Sequence, residues 1–562
     1  MVSSTSPRGI ALQRAQADPM RDRITRVWED YRDLTNYFSI EISPQRMSKL
    51  RQFLESELLS LRRQPFELYD QQDRVDYLLL QNYLQRQLRS IELNAKLDKN
   101  ASSLFPFSES IVDLCEARAA VVPLQPKHAA GQLFETRKHI LDVTAGVENG
   151  DYASVMKSSA LRGARIIDSL RHHLEEWYGF YKGYDPMFDW WVAQPYEEVD
   201  ESLKKLQEAI RDRLVGIKTG DEDAIVGEPI GREGLLAELE AEVIPYTPEE
   251  IIKIGEREFA WCVDELKKAS HAMGYADDWQ RALEKVKNDY VEPGQQTQLV
   301  RTLAQEAIAF VEDHNLVTVP AIAKDTWQTF MMSPERQKMN PFFLGGESII
   351  VSYPTDTMDH GAKMMSMRGN NIHFSRATVF HELIPGHHLQ FHVNARHRPY
   401  RLLFDTPFWV EGWSLYWEMI LWDDSRFNKT PENRMGMLFW RLHRCARIIF
   451  SINFHLGKMT PEECVELLVQ QVGHERATAE GEVRRSLSGD YSPLYQAGYM
   501  LGALQIYALR KELIETHRVD ELAFHDRFLR ENRMPIELFR ALMLNLPLSQ
   551  DYRPWWRFYG GL

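Results

Sequence analysis

Ala377-Thr-Val-Phe-His-Glu-Leu-Ile-Pro-Gly-His-His-Leu-Gln390 decides how this chain is read. Apolar flanks enclose four residues able to bind or use a metal: His381, Glu382, His387 and His388. In an H-E-x-x-H helix, two histidines four residues apart share a face and the glutamate serves as general base. Position 385, where the second histidine belongs, is Pro. At about 100° per residue His388 returns to within roughly 20° of the face of His381, but about 10 Å along the axis. His387 is closer in sequence and about 120° round a regular helix. Pro removes a backbone donor and clashes with the preceding turn, and Gly tolerates unusual dihedrals. Pro385-Gly386 therefore predicts a broken or bulged helix that swings His387 back beside His381, with His388 as the fallback ligand. Such distortions concentrate at functional sites.

A mononuclear zinc site needs a third protein ligand and an open position. Phe408-Trp-Val-Glu-Gly-Trp-Ser-Leu-Tyr-Trp-Glu418 is a strongly apolar helical stretch interrupted by two carboxylates. A carboxylate in such surroundings needs a partner, and a metal would serve. Glu411 is the candidate, with Glu418 on the same face two turns on. The plainer alternative is a histidine-rich helix end against aromatic residues, with Glu411 paired to an arginine. His172, His173, His397 and His525 read as ordinary surface or boundary residues.

The 562-residue chain as a whole fits a large helical body. Hydrophobic residues make up 44% and charged residues 26%, an ordinary globular composition. The 81 acidic against 67 basic residues argue against nucleic acid as a partner. Cys115, Cys262, Cys445 and Cys464 are far apart and read as buried thiols in a reducing compartment. No segment reads as a signal peptide or membrane span, so the expected setting is cytoplasmic, with no membrane partner.

Residues 1–20 are expected to be disordered or loosely ordered, and 21–562 to form one helical domain, with two lobes joined near 218–235, where Gly, Pro and acidic residues cluster. The run 68–97 reads as a long helix, 101–130 as irregular, and 135–180 as helical. Thr247-Pro-Glu-Glu250 and Thr460-Pro-Glu-Glu463 carry capping-box helix starts. Ser348–Tyr353 and Asn371–Ser375 are short and β-rich, which predicts a small sheet beside the metal helix. An exposed edge there could hold an extended peptide.

HELIPGHHLQ (381–390) followed by VEGWSLYWE (410–418) resembles the bacterial family known as domain of unknown function 885. Its pattern is H-E-x-x-P-G-H-x-x-Q and then E-G-W-x-L-Y. Arg447–His455, Glu482-Val-Arg-Arg485 and Gln496-Ala-Gly-Tyr499 resemble further motifs of that family. Ser451 departs from it, where the family carries Asp, as does Leu494-Tyr-Gln496, where it carries Pro-Gly-Gln. The family looks like a relative of the helical zinc carboxypeptidases of the Taq type and of thimet-type oligopeptidases. The resemblance implies a mainly α, zincin-like body with a deep cleft, ligands His381, His387 and Glu411 for one zinc ion, and Glu382 as base. On that reading Glu382 takes a proton as water attacks a carbonyl. Tyr499, or alternatively His455, would donate to the oxyanion. Arg485, with Arg484 beside it, would bind a substrate carboxylate. Three functions follow as alternatives: a zinc peptidase acting on short peptides, a metal-dependent hydrolase of another amide or ester, or a zincin that binds peptides without cutting them. A homodimer is compatible with any of them.

Overall fold

The protein is described by a computed structural model covering residues 19–218, 224–339, 345–489 and 491–560. Most of these residues are helical, with two three-residue strands. The two expected capping boxes form: Thr247 and Thr460 each accept from the backbone N–H three residues on, and Glu250 and Glu463 bond back to the N-cap backbone.

The chain divides into two compact units, residues 1–68 with 80–228, and residues 69–79 with 229–562. The boundary between Glu228 and Pro229 falls within the stretch read as a linker, of which residues 219–223 lie outside the described ones, as do residues 1–18 of the N-terminal segment. The first unit holds α1 (Met20–Tyr37), α2 (Pro44–Arg62), most of α3 (Gln71–Ala101), α4 (Ser108–Ala119), α5 (Pro126–Asn149), α6 (Lys157–Tyr181) and α7 (Pro186–Ile210). Its core is apolar: Leu133, Ile140, Ile167, Leu174, Trp177, Phe188 and Leu203 are buried against one another. Residues 101–130, read as irregular, contain α4 and the first turn of α5. Pro106, Pro123 and Pro126 cut the stretch into short pieces, yet Ile111, Val112, Leu114 and Cys115 still recur on one buried face.

The second unit runs through α8 (Gly231–Ala241), α9 (Pro248–Ala272), α10 (Trp279–Lys287), α11 (Gln296–Asp313) and α12 (Ala321–Thr326) to β1 (Thr329–Met331). It continues with α13 (Pro334–Met339), β2 (Ile349–Val351), α14 (His360–Gly369), α15 (Ile372–Glu382), α16 (His387–Asn394), α17 (Pro407–Asp423) and α18 (Pro431–His455). The last helices are α19 (Pro461–Leu467), α20 (Arg476–Leu487), α21 (Tyr495–Ile514), α22 (Glu521–Glu531) and α23 (Ile536–Leu544). β1 and β2 pair in parallel, Thr329 opposite Ile349 and Met331 opposite Val351. The sheet expected near 348–353 is therefore present, but Asn371–Ser375 is not its partner. Asn371 caps α15 instead, its side chain accepting from the N–H groups of His373 and Phe374 at 3.0 Å each. A good N-cap outweighs a few β-favouring residues.

α17 is buried on nearly every side and strongly apolar apart from Glu411 and Glu418, and Trp409, Trp413 and Trp417 are fully buried. A helix of that kind belongs in a core. Its closest neighbour is α21, and glycine permits the approach. A Cβ on Gly502 would lie 2.3 Å from the carbonyl oxygen of Phe408, and one on Gly412 would lie 2.8 Å from the Cα of Gly502. This seam sets the tyrosines of α21 against the carboxylates of α17.

Candidate metal centre

α15 ends at Glu382, and α16 starts at His387. Between them Leu383 leaves the helical region at φ −107°, ψ −107°, and the Ile384–Pro385 peptide is cis. Gly386 turns back so tightly that a Cβ would lie 1.8 Å from the carbonyl oxygen of His381, leaving room for glycine alone. The turn is tied to α17: Trp413 Nε1 donates to the Pro385 carbonyl at 2.9 Å, and Gln390 Nε2 to that of Trp409 at 3.1 Å. The break brings the rings of His381 and His387 to 4.9 Å between centroids.

Both imidazoles point Nε2 at one oxygen. Glu411 Oε2 lies 3.4 Å from Nε2 of His381 and 3.1 Å from Nε2 of His387. A tetrahedral zinc with bonds of about 2.1 Å holds its ligand atoms about 3.4 Å apart. The two distances to Glu411 Oε2 are close to that separation. Glu382 joins the cluster: one ligand atom from each of His381, Glu382 and His387 lies within 4.8 Å of the others. Nδ1 of His381 donates to Glu418 Oε1 at 2.8 Å, which fixes the ring and leaves Nε2 facing the cluster. Tyr495 donates to the other oxygen of Glu411 at 2.5 Å.

His388 has a different role. Its Nδ1 meets the carbonyl of Glu347 at 2.8 Å and its Nε2 that of Ala323 at 2.9 Å, so neither nitrogen faces the cluster. His455 is corrected as well. It ends α18, about 12 Å along the axis beyond Arg447, and is not part of the cavity wall. Tyr499 does line the cavity. Its ring stacks on His381 at 6.1 Å, and among the described residues nothing accepts from its hydroxyl. Arg485 lines the same cavity, of about 350 Å³, with Arg336, Arg444, Arg447 and Arg533. All these residues belong to the second unit.

Charge is concentrated here. Burial opposes the imidazolium of His381, but bonds to Glu411 and Glu418 and the charge of Glu382 outweigh it, raising the group to about 9. Burial also raises Glu382, against the pull of His381 and His387. Burial would raise Glu411 too, yet the charge of His387 and the bonds from both histidines hold it well below the usual carboxylate range. Burial, with the charge of Glu411, pushes Tyr499 up to about 12. A metal entering this set would displace the proton that the carboxylates hold on His381.

Tyr495, Arg444 and Arg447 escaped the sequence reading. The signal for the arginines was present: Arg441, Arg444 and Arg447 recur at three-residue steps in the largely apolar run Met435–Phe450. Tyr495 stands one turn before Tyr499 and faces the same side of α21.

Two solved structures share the fold. A "putative lipoprotein of unknown function" from Shewanella oneidensis superposes with a TM-score of 0.71 at 17% identity, covering 94% of this chain and 100% of that one. A "putative lipoprotein" from Colwellia psychrerythraea gives 0.60 at 16% identity, covering 95% and 99%. No curated protein matches the chain. Residues 39–543 match the family described as "Bacterial protein of unknown function (DUF885)", and the chain belongs to that family.

Proposed function

We propose that the protein is a zinc-dependent hydrolase of short peptides, with His381, His387 and Glu411 as ligands and Glu382 as general base. The observation that carries this reading is the meeting of two buried Nε2 atoms on Glu411 Oε2, with Glu382 in the same cluster. A divalent ion held there supplies Lewis acidity, polarising a carbonyl and acidifying water.

The chain's own groups do the rest. Glu382, raised by burial, takes a proton from the attacking water and returns it to the leaving nitrogen. Tyr499, with no acceptor among the described residues, donates to the oxygen that gains charge. Arg485 holds a substrate carboxylate by the paired donors of its guanidinium. Glu418 keeps His381 in the tautomer that leaves Nε2 free. The helical zinc carboxypeptidases of the Taq type and the thimet-type oligopeptidases are the relatives this reading suggests, and a zincin-like cleft is part of it.

A mixed peptide library analysed by mass spectrometry tests the activity. Cleavage by the zinc-loaded protein, abolished in Glu382→Gln with the metal retained, supports the proposal. A loaded protein that cuts no peptide contradicts it. For the compartment, the free buried thiols point to the cytoplasm, whereas the two neighbours carry lipoprotein titles. No described helix is long and apolar enough to cross a membrane. Cell fractionation decides between these locations.

A further inference from the structure

Five arginines line the cavity, and their partners differ. Arg447 Nε donates to Glu482 at 2.6 Å, and Arg533 Nη1 donates to Asp405 at 2.7 Å. Arg444, one turn before Arg447 on α18, is only 8% exposed, yet among the described residues no carboxylate lies within ion-pair distance of it. Its guanidinium lies 5.0 Å from the ring centroids of both Trp440 and Tyr499, and its Nε is buried with no partner. Arg485 on α20 likewise has no carboxylate within ion-pair distance among the described residues, although the charge of nearby Glu482 acts on it. Its guanidinium lies 5.1 Å from the Tyr491 ring, and its Nε is likewise buried and unpartnered. Aromatic faces offset part of the cost of burying a cation. They do not accept the hydrogen bonds of a guanidinium, which carries five N–H donors. Burial and the neighbouring Arg447 charge accordingly lower Arg444 from the usual guanidinium value.

The two cations reach the metal residues by separate routes. Arg444 stands across Tyr499, whose ring covers His381. Arg485 stands across Tyr491, which packs at 4.4 Å on Tyr495, the donor to Glu411. Carboxylates of the protein act on both guanidiniums only from beyond ion-pair distance, so a single ligand carboxylate leaves one of them without a direct ion pair, whereas two serve both. A cavity of about 350 Å³ is at the small end for ligand sites and suits a ligand of about two residues.

We propose that the site takes a dicarboxylate amide, a short peptide or N-acyl amino acid ending in aspartate or glutamate, with one carboxylate on Arg485 and the other on Arg444. The identity of the cleaved bond rests on the hydrolase reading above; the dicarboxylate preference does not. In hydrolysis the amide C–N bond breaks, the water oxygen stays with the acyl half, and the acidic amino acid leaves as an amine with the proton carried by Glu382. Arginine geometry suits carboxylate and phosphate alike. Two separated cations favour two carboxylates over one phosphate.

Calorimetric titration of the full-length protein with N-acetylglutamate, N-acetylglutamine, N-acetylleucine and inorganic phosphate tests the preference without requiring turnover. The expected result is N-acetylglutamate binding at least about tenfold more tightly than the other three, with Arg444→Gln reducing that advantage over N-acetylglutamine to within about twofold. Equal affinities for the glutamate and glutamine compounds, phosphate binding as tightly as N-acetylglutamate, or no binding of N-acetylglutamate each overturn the proposal. The comparison among ligands on the unaltered protein holds even if Arg444→Gln fails to fold. Selective binding in a protein that cuts no peptide would overturn the hydrolase reading and leave this one standing.

Discussion

His381 and Glu418 are joined by a buried hydrogen bond, Nδ1 to Oε1 at 2.8 Å, seven residues of α17 beyond the glutamate that meets the same ring at Nε2. The two carboxylates grip opposite nitrogens of one imidazole. Carboxylates placed in this way orient metal-binding histidines, and their loss typically weakens metal binding roughly 10–100-fold. Glu418→Gln is therefore expected to lower zinc affinity by about that factor while leaving the stoichiometry at one. Competition with a chromophoric chelator measures it.

Gly345 lies against the proposed base. A Cβ there would fall 1.8 Å from Glu382 Oε2, so alanine forces the carboxylate aside. Gly345→Ala is expected to keep the metal and the melting temperature and to lower kcat by about 100-fold, the order of loss that a displacement of about 1 Å can cause. An unchanged kcat with any peptide that the parent protein cuts would show that the carboxylate position is not critical.

The α17–α21 seam is expected to be intolerant of added bulk. Gly502→Ala places a methyl group against the Phe408 carbonyl and the Gly412 backbone. Overpacking of this kind costs about 1–3 kcal/mol. Urea denaturation should show that loss. Because the same seam carries Tyr495 to Glu411, weaker zinc binding should accompany it.

How far the sequence could be read depended on how local each determinant was. The helix starts at Thr247 and Thr460 are legible because a cap and its partner lie three residues apart. The Pro385-Gly386 break is legible because a regular helix cannot bring His387 beside His381. Arg485 was legible as a carboxylate binder, but its meeting with Arg444 and Arg447 was not, because the three sit on two helices brought together by tertiary packing. Asn371 misled in the other direction, since its neighbours favour strand while its own side chain starts α15. His388 and His387 are adjacent in the chain, and only the positions of the Glu347 and Ala323 carbonyls tell their roles apart.

Acid should destabilise the protein through histidines remote from the proposed metal. His474 faces His443 at 2.9 Å, and burial, with Lys287, Arg447 and Arg444 nearby, lowers it to about 3. Its unfolded value is near 6.5, so the unfolded chain binds the extra proton. The stability this neutral ring contributes is complete above about 6.5 and is lost as pH falls towards 3. His474→Gln removes the titration. The stability gap between wild type and variant should shrink by about 1.4 kcal/mol between pH 7.5 and 5.5. Thermal melts of both proteins at the two pH values measure it, and a gap independent of pH would contradict the assignment.

The central claim is that His381, His387 and Glu411 hold one metal ion. A crystal structure of the zinc-loaded protein with anomalous data at the zinc edge tests it most directly. The account predicts a single peak about 2.0–2.2 Å from Nε2 of His381, Nε2 of His387 and Oε2 of Glu411, with Glu382 beside it and not bonded to it. A peak on His388, a peak elsewhere, or none at that position after loading would contradict it.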